Sequence, residues 1–301
     1  MKLSCYSPTV NGRMGERKIS MIDGRQFCLT LDLENDWYFD DPALDHLVLD
    51  YLDEFLELID ELDVPLSIFV VGRTLEKYPE EVDRIRPTID CEFHLHSYQH
   101  DMSKSYDFET EVRRGMVAFR DFFGRDPVGY RAPQGNIEHH EFCILEDLGF
   151  DFDSSVFPSF RPGKYNNLDA PTEPYIPDGT TSLVEIPFGT ILSLRIPTSL
   201  SYVKLFGRPL SAYLSVAPLP NVLVYNVHLH DLYRTASHDE LDAPKRWIMK
   251  RNLDTAESMF RTNVATILTR GYEPVTMTEV YDTCEGLFDG DRLIQRSQVV
   301  S

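Results

Sequence analysis

The sequence predicts one α/β domain of barrel-like form with an elaborated loop region in its second half. Three observations predict it. Apolar runs of strand length end in polar residues, and amphipathic helical stretches alternate with them in units of about thirty residues, which means βαβ crossovers and a parallel sheet. The middle, residues 157–219, is rich in Pro, Ser and Gly. The domain is placed at residues 23–283, after a polar lead-in over 1–22 and before a tail over 284–301, with the 157–219 region covering the site.

The elements follow in order. Residues 27–33 read as a buried strand with an acidic C-terminal end. Leu44, Leu47, Val48, Tyr51, Leu52, Phe55, Leu58, Ile59 and Leu62 recur at three- and four-residue steps, one apolar helix face. The continuous apolar run 65–71 is of the parallel-sheet kind, followed by a helical stretch over 74–85. A strand over 89–96 precedes a helix over 108–123. A short strand over 128–131 leads to a helix over 138–148 that Gly149 stops. Then come strands over 150–155, 183–187 and 222–228. A long helix marked by Leu253, Ala256, Phe260, Val264, Ile267 and Leu268 is capped by Gly271, and a last strand is expected over 274–277.

The chain has 301 residues, 29 basic against 49 acidic, for a formal charge of −20. Such a surface repels phosphate backbones and excludes a general nucleic-acid binder. Solubility accounts for the acidity, and the scarcity of lysine also fits adaptation to high salt. The five cysteines, Cys5, Cys28, Cys91, Cys143 and Cys284, are scattered without a C-x-x-C spacing, against a disulfide framework or a thiolate zinc site. No stretch has signal-peptide or membrane-span character, so a cytoplasmic protein is expected.

Chemistry is expected where strands end. The first ends in Asp32-Leu33-Glu34, whose two carboxylates share a face of an extended chain. Others end in His94-Leu95-His96 followed by His100, in Tyr130-Arg131, in Asp153-Ser154-Ser155, and in His228-Leu229-His230-Asp231. A helical turn after the third strand would put His96 and His100 on one face, where both could reach a metal. The H-x-x-x-H pair is weak evidence alone. With Glu34 it makes a two-His-one-carboxylate set that suits zinc, iron, cobalt or nickel.

From about residue 27 to 277 the order of these pieces resembles the five motifs of the polysaccharide deacetylase family, carbohydrate esterase family 4, whose fold is the NodB-homology distorted (β/α)7-type barrel. Asp32-Leu33-Glu34 is similar to the first motif in the D-x-E form of the allantoinase-like and exopolysaccharide-associated branch. His96-Ser97-Tyr98-Gln99-His100 matches H-[ST]-x-x-H, the most specific piece. Arg131-Ala132-Pro133-Gln134-Gly135 resembles R-x-P-x-G, the 152–158 segment resembles the fourth motif, and His228 or His230 would supply the fifth.

The resemblance implies a divalent metal, zinc first, with cobalt, nickel or iron as alternatives, held by Glu34, His96 and His100. Glu34 departs from the family's commoner Asp ligand. Asp32 would take a proton from the attacking water, and Arg131 would pair with Asp32. His228 would protonate the leaving amine, since an amide nitrogen cannot depart as an anion. His230 competes for that role, because spacing puts both histidines on one strand face. Asp153 is a candidate to orient the catalytic histidine; its alternative is a turn cap with Ser154 and Ser155. His94 reads as a core histidine and His139-His140 as solvent-exposed, while Trp37 and Tyr38 either pack or stack on a sugar ring.

The implied partner is an N-acetylated sugar or glycan, with no nucleic acid and no membrane span, and with room for a homo-oligomer. Two alternatives stand beside N-acetyl hydrolysis. One is cleavage of a C–N bond in a small cyclic amide or ureide, favoured if the 157–219 region closes the site into a pocket rather than leaving a groove. The other is an inactive carbohydrate-binding homologue.

Overall fold

The computed structural model describes residues 16–18, 22, 24–37, 39, 41–101 and 103–287. Ten strands form its main sheet: β1 (Glu16–Lys18), β2 (Gln26–Leu33), β3 (Leu66–Val70), β4 (Cys91–Leu95), β5 (Gly129–Tyr130), β6 (Phe152–Asp153), β7 (Tyr175–Pro177), β8 (Val184–Glu185), β9 (Val222–Val227) and β10 (Glu273–Pro274). Their order is β1-β7-β8-β6-β5-β4-β3-β2-β9, with β10 also on β2. From β8 to β9 every pairing is parallel; only β1–β7 and β7–β8 are antiparallel. The sheet curls into a half-barrel, the expected NodB-type distorted barrel.

Hydrophobic runs make these strands because both faces of the sheet are covered. All five residues of β3 and all six of β9 are buried. The helices return the chain between strands: α1 (Leu52–Leu62), α2 (Gly72–Lys77), α3 (Pro79–Ile85), α4 (Phe108–Phe123) and α5 (His139–Asp147). In α1, Leu52, Phe55, Leu56, Leu58 and Ile59 are buried, each worth about 1.5–3 kcal/mol of apolar burial. Asp107 caps α4 by accepting from the Thr110 amide at 3.0 Å, and Gly124 ends it in the left-handed region at φ 71°.

Four expectations change. The 74–85 stretch is two helices, because Pro79 has no amide to continue the first and suits the first turn of the second. Part of the polar lead-in, β1, is an edge strand against β7. The 157–219 region is more than loop. It contributes β7 and β8, two hairpins (Phe160–Arg161 with Tyr165–Asn166, and Thr190–Ile191 with Ile196–Pro197) and the helices α6 (Leu200–Phe206) and α7 (Arg208–Tyr213). Two-residue strands are too short to show a period.

The expected 274–277 strand ends at Pro274. A helix over 277–287 follows, opened by a reciprocal cap: the Thr276 amide donates to Glu279 Oε2 at 2.7 Å and the Glu279 amide to Thr276 Oγ1 at 3.2 Å. Its Met277, Val280 and Cys284 pack with Cys28, Phe69 and Val222 in a second core cluster. Between β9 and α10 (Ala256–Thr269) lie α8 (Leu229–Leu232) and α9 (Ala243–Lys250), and no residue of α9 is buried. No helix among the described residues is long and apolar enough to cross a membrane.

Candidate metal centre and active site

Parallel register brings the C-terminal ends of β2, β4, β5, β6 and β9 to one edge, pairing Leu31 with Val227 and Leu95 with Tyr130. At that edge Asp32 is nearly buried and its Oδ1 accepts from Arg131 Nη1 at 2.6 Å. Arg131 is 1% exposed, lies against the rings of Phe69 (3.8 Å) and Phe188 (4.4 Å), and also donates to Thr30 Oγ1, Asn226 Oδ1, the Ser154 carbonyl and Ser154 Oγ. Asn226 Nδ2 donates to Asp32 Oδ2 at 3.2 Å. Burial alone would raise the Asp32 carboxyl, but Arg131, His96 and His228 outweigh it and hold the group well below the usual carboxylate range.

His96 follows β4, and its Nδ1 donates to the Arg131 carbonyl at 2.8 Å. A carbonyl only accepts, so that bond fixes the tautomer and leaves Nε2 as the ligand atom. Burial pushes this imidazole down to about 4, neutral at physiological pH. The expected helical turn to His100 does not form. Ser97 and His100 take left-handed φ values of 60° and 56° instead. Glu111 of α4 pins the turn: its Oε1 accepts from the Tyr98 and Gln99 amides at 3.2 and 2.7 Å and from Ser97 Oγ at 3.2 Å. Ser97 Oγ in turn accepts from the His100 amide at 3.1 Å.

Glu34 Oε2 then stands 3.0 Å from His100 Nε2. Glu34, His96 and His100 each offer a donor atom, all within 4.8 Å of one another. Two imidazoles and a carboxylate at that spacing fit a divalent transition metal with bonds of about 2.0–2.2 Å. The donor atoms of Glu34, His228 and His230 also lie within 4.8 Å of one another, but both ring nitrogens of His228 face carboxylates. Its Nδ1 donates to Asp231 Oδ2 at 3.1 Å and its Nε2 lies 3.5 Å from Asp32 Oδ2. Burial would lower it, yet Asp231 and Asp32 push it up to about 10.

The strand ends at Val227, so His228 and His230 do not share a strand face; both rings come from the entrance of α8. They stack at 4.7 Å, with His228 toward Asp32 and His230 Nδ1 3.9 Å from Glu34 Oε1. Burial and then the His228 charge push His230 down to about 3. The carboxylate that orients His228 is Asp231, not Asp153. Asp231 is also paired with the buried Lys204 of α6 at 2.9 Å and accepts from Ser201 Oγ. Asp153 turns away from the histidines: it accepts from the Ser155 hydroxyl at 2.7 Å and amide at 3.1 Å, the turn-cap alternative. Register had put Asp153 at the right edge, but its side chain faces Glu185 of the adjoining strand.

These groups line a cleft of about 330 Å³. Its outer walls come from the 157–219 region, through Phe157, Arg161, Tyr165 and Tyr202, and from Lys245, Ile248 and Met249 of α9. Phe157 stacks on Phe188 at 3.7 Å and on Tyr165 at 5.7 Å. Gly135, which closes the Arg131 motif, has φ 66°, and a Cβ there would stand 2.5 Å from Phe157. Trp37 is in the cleft, 4.1 Å from the His230 ring, whereas Tyr38 lies outside the described residues. His94 packs between Phe69 and Phe152 and pairs with Glu92, away from the cleft, and His140 is exposed. Sequence reasoning missed Glu111, Asn226, Lys204 and Lys245; only Asp231, inside the H-L-H-D run, carried a local signal.

The polysaccharide deacetylase family profile matches residues 38–152. A peptidoglycan deacetylase-like protein of Gibberella zeae is 27% identical over 106 residues, which span 34% of this chain and 31% of that protein. Among solved structures, a candidate polysaccharide deacetylase of Mycobacterium smegmatis superposes with TM-score 0.58 at 21% identity, covering 91% of this chain and 96% of that one. Puue allantoinase gives 0.55 at 12% identity, over 86% of this chain and 89% of that one. A carbohydrate esterase family 4 pseudoenzyme of Bacillus anthracis gives 0.52 at 14% identity, over 87% and 67%. At these identities the structural likenesses concern the fold. The profile match covers a little over a third of the chain, and over most of its length the fold is similar to that of polysaccharide deacetylases.

Proposed function

We propose that this protein is a divalent-metal-dependent hydrolase that removes the N-acetyl group of an amino sugar in a glycan or glycan precursor. The observation that carries the reading is the convergence in one cleft of a base held by Arg131, a Glu-His-His ligand set, and a histidine held protonated by Asp231.

Glu34, His96 and His100 would hold the metal, and a cation bound there polarises the amide carbonyl and lowers the pKa of water. Asp32, 3.9 Å from His96 Nε2, is placed to take the proton of a water that attacks the carbonyl carbon. The C–O bond forms as the carbonyl π bond opens, the C–N bond of the resulting tetrahedral adduct then breaks, and His228 gives its Nε2 proton to the departing nitrogen, leaving acetate and a free amine. Arg131 keeps Asp32 ionised and fixed, so little reorganisation is needed during reaction. Phe157, Tyr165 and Trp37 give the cleft apolar surface against which the C–H face of a sugar can pack.

The cleft volume supports a second reading. About 330 Å³ is at the small end of ligand sites and also fits a small cyclic amide or ureide. The deciding experiment pairs elemental analysis with acetate release from N-acetylglucosamine oligomers, for the wild type and His96→Ala. Near-stoichiometric metal and metal-dependent acetate release, both lost in the variant, are expected. Metal without acetate moves the assignment to the small amide. Failure to bind added zinc, cobalt or nickel sinks the mechanism.

A further inference from the structure

Cations are scarce on this chain, 29 against 49 acidic residues, and most buried or half-buried ones have a carboxylate partner. Lys77 pairs with Asp45, Lys104 with Glu141, Lys204 with Asp231 and Arg131 with Asp32. Arg161 and Lys245 are exposed and stand apart by their position. They come from separate elements, the Phe160–Arg161 hairpin strand and α9, yet both line the active-site cleft. Neither side chain makes a hydrogen bond or an ion pair with a described residue. Lys245 Nζ stands over the Trp37 ring, 4.7 Å from its centroid, and Trp37 in turn lies against His230. The two cations also sense each other: burial lowers Lys245, Glu34 across the cleft raises it, Arg161 lowers it again, and Asp242 raises it.

Two neighbouring like charges repel, and in an acid-rich chain a carboxylate partner for either is easy to supply. Leaving both unpaired at the mouth of a cleft is favourable when a third group with negative charge sits between them. An arginine fork and a lysine point charge are the usual recognition elements for carboxylate and phosphate oxygens.

We propose that the amino-sugar substrate carries an anionic group, a carboxylate or a phosphate, close to the N-acetyl unit, and that Arg161 and Lys245 bind it at the mouth of the cleft. This rests on the hydrolase reading for the identity of the sugar, but not for the binding itself. The anion anchors the substrate outside the metal set, so its binding energy positions the acetamido group without occupying Glu34, His96 or His100. In a strongly acidic protein the same pair marks the entry point for an anion that the remaining surface repels.

The test reads binding without turnover. The chain has two tryptophans, Trp37 and Trp247, so Trp247→Phe leaves Trp37 as the sole reporter beside Lys245. Its fluorescence is titrated with N-acetylglucosamine, N-acetylglucosamine 1-phosphate and N-acetylmuramic acid. At least one anionic sugar is expected to bind about tenfold more tightly than the neutral one, and the tighter of the two identifies phosphate or carboxylate. Adding Arg161→Met and Lys245→Met should erase the advantage, while Arg161→Lys and Lys245→Arg should keep part of it. Added salt should shrink it.

Equal affinities for neutral and anionic sugars would overturn the proposal. So would an advantage that survives both methionine substitutions and vanishes on chelation, because the anion would then be sitting on the metal. Anion selectivity without acetate release from any sugar would sink the hydrolase reading and leave the anion site standing.

Discussion

His228 Nδ1 lies 3.1 Å from Asp231 Oδ2, and the other oxygen of that carboxyl is paired with Lys204 Nζ at 2.9 Å. The carboxylate comes from the same turn as the histidine, three residues on, so one short segment sets both the direction and the proton affinity of the proposed general acid. An imidazole raised to about 10 is in its acid form throughout the neutral range and loses it only as pH rises through that value. Asp231→Asn removes the charge that raises it. The alkaline limb of the kcat/KM profile should then move to lower pH, with activity near neutrality falling about 10- to 100-fold, inside the span general acids contribute. The pH–rate profile checks this, and an unmoved alkaline limb would contradict it.

Arg131 donates five hydrogen bonds and stacks between two rings, yet only one of its contacts is a charge, Asp32. Removing one partner of a buried pair strands the other. Arg131→Met should therefore destabilise the fold by about 3–5 kcal/mol. Asp32→Asn in the same chain should recover part of that loss, because no bare carboxylate is left behind. Urea unfolding of the two single variants and the double variant completes the cycle. Strictly additive losses would mean the two groups are not coupled.

Glu111 touches neither metal ligand directly, but it holds the turn between them through the Tyr98 and Gln99 amides and Ser97 Oγ. Glu111→Ala frees a turn that has two left-handed residues to stabilise. Metal affinity should drop about 10- to 100-fold, as when groups that orient ligands are lost. Glu111→Gln keeps an accepting oxygen and should recover much of it. Competition with a chelator measures both, and an unchanged affinity in the alanine variant would remove Glu111 from this role.

The legibility of the site followed the range of its interactions. Asp32, Glu34, His96 and His228 sit at the ends of apolar runs and Arg131 at the end of a short strand, so strand-end position placed them at one edge. The partners of His228 and of the His96–His100 turn were harder. Glu111 reaches the turn from a helix that reads as an ordinary amphipathic one, and Lys204 comes from a region whose strands are two or three residues long. Asp153 was misplaced for a related reason: strand-end position fixes the edge of the sheet, whereas the direction of a side chain depends on its neighbour, here Glu185 of β8. The final helix had a local sign, Thr276 and Glu279 at capping-box spacing, masked by the preceding Pro274-Val275 strand signal.

That Asp153–Glu185 pair predicts how stability depends on pH. Both side chains are fully buried on neighbouring parallel strands. Burial raises both carboxyls, and Asp153 raises Glu185 further, so the folded protein holds a proton there that the unfolded chain releases at ordinary carboxylate values, about 4. In the window above that value the native state binds more protons than the unfolded state. Stability from this pair is then complete at acid pH and falls as pH rises through the raised folded values. Glu185→Gln keeps the shape and removes the titration, so its stability should decline less between acid and neutral pH than that of the wild type. Its advantage should grow toward neutral and alkaline pH. Chemical unfolding across the pH range measures both curves, and parallel curves for the two proteins would show that the pair shares no proton.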